Sequence, residues 1–176
     1  MSRPVIVYIA MSLDGYIAKA NDDISFLSLV ECDGEDYGYN NFYAAVDTVI
    51  MGMRTYTKVL SMGHSFPTND KEMFIITRSQ KPSKGKINFY TGSPVDLVAS
   101  IKEKPGKVIF IDGGSYVVNT LLEANLIDEF IISVVPVILG EGVPLFKNSE
   151  KEHKLSLVET KSYSSGLVQL HYKFLN

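Results

Sequence analysis

Lys107 to Leu126 reads KVIFIDGGSYVVNTLLEANL, and the fold is decided there. Val108-Ile109-Phe110-Ile111 is a continuous apolar run rich in β-branched residues, the pattern of a strand buried on both faces of a helix-covered parallel sheet. Asp112, Gly113, Gly114 and Ser115 follow. Val117, Val118, Leu121 and Leu122 then recur on one face of a helix. A buried strand thus runs through a Gly-Gly turn into a helix N-terminus, where unpaired N–H groups and a partial positive charge suit a phosphate. An ordinary tight strand-to-helix turn has the same pattern, and this motif alone does not choose between them.

Upstream, Thr48 to Met51 (TVIM) is a second buried strand that ends at Gly52, with Arg54 and Thr55 in the first turn of the helix after it. Met73 to Thr77 (MFIIT) is a third, ending in the hydroxyl–guanidinium–hydroxyl cluster Thr77-Arg78-Ser79. Val5 to Ala10 (VIVYIA) is another apolar strand, and Ser12 to Val30 reads as a long loop with apolar anchors, of the kind that often forms a lid or binding loop. Tyr39, Phe42, Tyr43 and Val46 form a helical stripe that predicts a helix over 33–46, and Asp36 falls on the same face, directed inward. An inward carboxylate is costly unless paired or used. It is either functional or a first-turn acid favoured by the helix dipole.

Ile87 to Tyr90 predicts a short strand, and Ser93-Pro94 an N-cap with proline at the first helical position. Downstream, Phe130 to Val135 is a strand. Alternation in Leu155–Lys161 and Leu167–Phe174 around Ser164-Ser165-Gly166 predicts a C-terminal β-hairpin. Residues 1–176 read as a single α/β domain, a mostly parallel sheet with antiparallel strands at its end. Ligands of such sheets sit beyond the strands' carboxyl ends. The junctions at Gly52, Thr77–Ser79 and Gly113–Gly114 all lie there, which suggests a nucleotide with several phosphates.

Composition narrows the classes. The chain is 45% hydrophobic and 21% charged with a formal net charge of −3, which argues against nucleic acid as a partner. No apolar run reaches the length of a membrane span, and the start of the chain lacks a signal-peptide pattern, so a cytoplasmic location is expected. Cys32 is the one cysteine and reads as an inert small hydrophobe. His64, His153 and His171 have no metal-ligand spacing, so no metal is expected.

Four segments together resemble the dihydrofolate reductase-like fold, and within it the branch of the riboflavin-biosynthesis reductase C-terminal domain. They are Ser12–Ala18 (SLDGYIA), Val49–Tyr56 (VIMGMRTY), Ile111–Ser115 (IDGGS) and Leu139–Phe146 (LGEGVPLF). The resemblance implies a three-layer fold with NADPH as cofactor, hydride transfer to a carbonyl or imine carbon of a small pterin- or pyrimidine-like substrate, and a homodimer. It implies that Ala10, Ile17 and Ala18 border the nicotinamide, and that Gly52, Arg54 and Thr55 meet the pyrophosphate. Thr77, Arg78 and Ser79 would hold the adenosine side, and Gly113, Gly114 and Ser115 would close over the phosphates. It also implies a cis Gly113–Gly114 peptide bond. Met53 stands where the family usually has Arg, which shifts discrimination of NADPH from NADH onto Arg78.

Asp36 precedes Gly52 by 16 positions, the spacing of the substrate-side acid of bacterial dihydrofolate reductases, and Asp112 matches the acid before the glycines in the riboflavin-type branch. Either is a candidate catalytic residue that orients substrate nitrogen or supplies a proton. The resemblance points to a relative of 5-amino-6-(5-phosphoribosylamino)uracil reductase. No basic clamp for a folate carboxylate or a ribose phosphate stands out: Lys58, His64 and Lys71 are the basic candidates between Tyr56 and Phe74. A true dihydrofolate reductase, and a non-catalytic nucleotide-binding or regulatory module, are the alternatives. The apolar run Val134–Leu139, long for one strand, is the expected dimer edge.

Overall fold

A computed structural model describes residues 3–66 and 70–175. Its centre is the strand β1 (Val5–Ser12), apolar because neighbours flank it on both edges and helices cover both faces. The further strands are β2 (Tyr16–Ala18), β3 (Val46–Gly52), β4 (Glu72–Ile76), β5 (Ile87–Tyr90), β6 (Val108–Gly113), β7 (Glu129–Val135), β8 (Val143–Pro144), β9 (Leu155–Ser162) and β10 (Val168–Phe174). Eight of them form one sheet in the order β5-β4-β3-β6-β1-β7-β10-β9. Pairing is parallel from β5 to β7 and antiparallel through β10 and β9. The expected parallel sheet and C-terminal hairpin are both present.

The helices are α1 (Tyr39–Ala44), α2 (Met53–Ser61), α3 (Pro94–Lys102) and α4 (Ser115–Glu123). Helices α3 and α4 bury Leu97, Val98, Ile101, Val117, Val118 and Leu121 against one face of the sheet. On the other face, Phe42 and Tyr43 of α1 and Tyr56 of α2 pack over Val49, Met51 and Phe110. Side-chain alternation in β6 sends Ile109 and Ile111 to the first layer and Phe110 to the second, giving three layers. Ser93 caps α3 as expected, accepting from the N–H groups of Val95 and Asp96 ahead of Pro94. No helix of the described residues is long and apolar enough to cross a membrane.

Three expectations are corrected. The stretch 12–30 is not one loop: β2 pairs antiparallel with β8, and Ser25–Val30 is a 3-10 segment that buries Phe26 and Val30. The helix expected over 33–46 is only Tyr39–Ala44, because Gly38 takes a left-handed φ of 85° at its N-cap and Val46 already belongs to β3. The run Val134–Leu139 is no edge. Its strand β7 lies between β1 and β10, and Val137 and Leu139 pack inward, leaving Ile138 70% exposed. The open edge on that side of the sheet is β9.

Candidate active site

Two helix N-termini meet at the carboxyl ends of β3 and β6. A Cβ placed on Gly52 would lie 3.9 Å from the Gly114 nitrogen and 4.0 Å from the Gly113 oxygen, and one on Gly114 would lie 3.4 Å from Thr55 Oγ1. Neither α2 nor α4 has a side-chain cap; their N-cap residues are Gly52 and Gly114. Their first N–H groups are therefore free of side-chain acceptors, which is what a bound phosphate needs. The Gly113–Gly114 peptide is cis, as the resemblance implies.

Ser115 belongs to this junction, but its hydroxyl is turned away. Ser115 Oγ donates to the Leu145 carbonyl at 3.4 Å, and Asn119 Nδ2 donates to the Ser115 and Leu145 carbonyls at 2.7 and 2.8 Å. Asn119 Oδ1 accepts from Lys147 N–H at 2.9 Å. Asn119 thus fastens the 139–147 loop to α4. Asp14 fastens the other end of that loop, accepting from the N–H groups of Leu139 and Gly140 at 3.1 and 2.7 Å. The backbone around Ile17 and the buried Ala18 is held by the β2–β8 pair.

Arg54 is already engaged. Its guanidinium forks onto Asp22, with Nε to Oδ2 at 3.1 Å and Nη2 to Oδ1 at 2.7 Å. The pair is solvent-exposed, so it is worth about 0–1 kcal/mol and is a modest barrier to an incoming anion. Thr77 and Ser79 share a tight turn in which Ser79 N–H donates to Thr77 Oγ1 at 3.2 Å. Arg78 between them is exposed, with no hydrogen bond or ion pair among the described residues.

Beside this rim a cleft of about 470 Å³ opens over β1 and β7, beneath the segment 27–37. Ala10 and Asp36 line it together, joining a residue expected at the nicotinamide to one expected at the substrate. Its floor is a polar cluster that sequence reasoning missed. Gln169 Nε2 donates to Tyr8 Oη, Tyr37 O and Ser133 Oγ at 2.9, 3.1 and 3.1 Å, while Tyr8 Oη donates to Tyr37 O at 2.8 Å. Gln169 sits opposite Ser133, and Ser133 opposite Ala10, across three adjacent strands. The available signal was polar residues inside otherwise apolar strands.

The two candidate acids differ in kind. Asp36 is exposed rather than directed inward, because the chain turns at Gly38 before the helix begins. Its carboxylate accepts from the N–H groups of Gly38 and Asn40 at 2.9 and 3.1 Å, and these bonds hold it below the usual carboxylate range. Asp112 is half-buried and lacks such partners among the described residues. It follows Ile111 in β6, so the register that pairs Val7 with Ile111 sets it beside Tyr8. Its carboxyl accepts no hydrogen bond among the described residues, and desolvation pushes its pKa up to about 7. The Tyr39 phenol nearby is raised by burial and then by the Asp112 charge.

A family model described as the RibD C-terminal domain matches residues 3–169. The protein YwjB of Bacillus subtilis (strain 168), itself of uncharacterised function, is 42% identical over 98% of both chains. A solved structure from Shewanella sp. PV-4, assigned by name to riboflavin biosynthesis, superposes over 100% of both chains with a TM-score of 0.89 and 30% identity. The Thermotoga maritima diaminohydroxyphosphoribosylaminopyrimidine deaminase/5-amino-6-(5-phosphoribosylamino)uracil reductase matches 99% of this chain and 57% of its own, with a TM-score of 0.73 and 16% identity. Dihydrofolate reductase from Enterococcus faecalis, complexed with NADP(H), covers 100% of both chains at a TM-score of 0.65 and 15% identity. These last two likenesses establish the three-layer dihydrofolate reductase-like fold.

Proposed function

The chain belongs to the RibD C-terminal domain family, and on that premise we propose that it is an NADPH-dependent reductase that delivers hydride to a carbonyl or imine carbon of a small pterin- or pyrimidine-like ring. The observation that carries this reading is the convergence of the α2 and α4 N-termini around three glycines, next to a cleft. Gly52, Gly113 and Gly114 leave the space between the two N-termini free of side chains, where added Cβ atoms would reach Thr55, Ile9, Val117 and the neighbouring backbone at 3.4–4.0 Å, a cradle that fits a pyrophosphate. Thr55 and the first N–H groups of both helices would hold it, Arg78 would meet the adenosine-side phosphate, and Ala10, Ile17 and Ala18 would border the nicotinamide. NADPH supplies the hydride when bound. The chain supplies position and a proton. Asp112, whose carboxyl is partly protonated near neutrality, is the proton donor in this reading. Asp36, held ionised by backbone N–H groups, orients substrate nitrogen.

Titration with NADPH is expected to raise the melting temperature, since a ligand at 100 times its Kd adds about 2.7 kcal/mol to the folded state. Arg78→Ala is expected to weaken NADPH and leave NADH nearly unchanged, because only NADPH carries the extra phosphate. The absence of any shift with either nucleotide at millimolar concentration would reject the cofactor assignment. Equal losses for both in the variant would remove Arg78 from that role.

A further inference from the structure

The cleft is strongly one-signed. Glu31, Asp33, Glu35 and Asp36 all line it and all are exposed, and none of its lining residues is Lys, Arg or His. Its walls are otherwise apolar, with Leu27, Val30 and Leu167. Low-dielectric walls focus such a field into the opening. At the floor, burial pushes the Tyr8 phenol up, the Gln169 hydrogen bond draws it partly back, and Tyr163, then Asp36 and Glu35, add to the rise. Ser133 lines the cleft at only 5% exposure, held to Gln169 by a 3.1 Å hydrogen bond at its Oγ.

The Thermotoga maritima relative is named for a phosphoribosyl substrate. A phosphate brought to this cleft would meet like charge with no cation among the lining residues to offset it, at about 1 kcal/mol per pair at 4 Å even in a water-like dielectric. We propose that the cleft takes a neutral or cationic ring carrying neither phosphate nor carboxylate, with Glu31, Asp33 and Glu35 setting that preference. The assignment of this ring as the hydride acceptor rests on the reductase reading; the charge preference does not.

Cys32 provides the test, because it is the one cysteine of the chain, is exposed and lines the cleft. Its rates of modification by a trimethylammonium and by a sulfonate methanethiosulfonate are compared with those of free 2-mercaptoethanol. The cation-to-anion ratio at Cys32 is expected to exceed that of the free thiol by about tenfold or more at low salt. The excess is expected to collapse at about 0.5 M salt and in the Glu31→Gln, Asp33→Asn, Glu35→Gln triple variant. With NADP+ present, 5-aminouridine is expected to slow an uncharged reagent at Cys32 more than 5-aminouridine 5′-monophosphate does. A ratio equal to that of the free thiol, stronger protection by the phosphorylated nucleoside, or no protection by either at millimolar concentration would each overturn the proposal. If NADPH produced no thermal shift while the charge bias and protection persisted, the reductase reading would fall and the selectivity of the cleft would stand.

Discussion

Asp112→Asn is expected to raise stability above neutral pH while abolishing most of the proposed reductase turnover. The two effects have one origin. Desolvation raises the Asp112 pKa from 3.8 to about 7. Between those values the folded protein keeps a proton that the unfolded chain releases, so stability falls as pH rises through this window and the loss is complete above it. At 1.36 kcal/mol per pH unit the loss is on the order of 4 kcal/mol. Asn carries no charge, so the variant should lose far less stability between about pH 4 and pH 8, as read from denaturant melts across that range. Removing a general acid typically costs about 10²–10⁴-fold in rate. A variant with the wild-type pH profile of stability would show that Asp112 ionises without penalty. Full turnover in the variant would assign the proton to another group.

Gly142→Ala is expected to lower the melting temperature by roughly 10 °C, taking about 2–4 °C per kcal/mol for a chain of this size. Gly142 has a φ of 149°, and a Cβ there would sit 2.2 Å from the Ala18 carbonyl oxygen. Backbone is the obstacle, so no side-chain rotation relieves the contact. The conformation costs a non-glycine residue about 1–3 kcal/mol, and overpacking adds about 1–3 kcal/mol. The contact joins the loop before β8 to the end of β2, so it also bears on the backbone expected at the nicotinamide. NADPH affinity should fall with stability. A melting temperature within a degree or so of wild type would show that this approach is easily relaxed.

Strands and junctions were legible in the sequence wherever burial on both faces writes itself as a continuous apolar run, as in Val108–Ile111 and Thr48–Met51. The Gly-Gly turn and the Ser93-Pro94 cap were legible because each is a local conformational demand. The pairing of β2 with β8 was not, since two strands of three and two residues, far apart in sequence, carry no period of their own. The outward turn of Asp36 was missed for a related reason. The stripe from Tyr39 to Val46 has helical spacing, but Gly38 breaks the helix on one side and β3 claims Val46 on the other. The cleft floor joins Tyr8, Ser133 and Gln169 from three strands, and only tertiary register brings them together. The charge of the cleft was in plain view as Glu31–Asp36, yet nothing local says that those residues overhang a cavity.

The position of β1 has a consequence for synthesis. Its two neighbours in the sheet, β6 and β7, both belong to the second half of the chain. β3, β4 and β5 pair among themselves within residues 46–90. On the ribosome, therefore, the Val5–Ser12 segment emerges long before anything it can pair with. At about 5–20 residues per second, roughly 5–20 s pass before Val108 is made. Through that interval an apolar strand destined for the middle of the sheet is exposed, and chaperones that shield nascent hydrophobic segments have their natural target there.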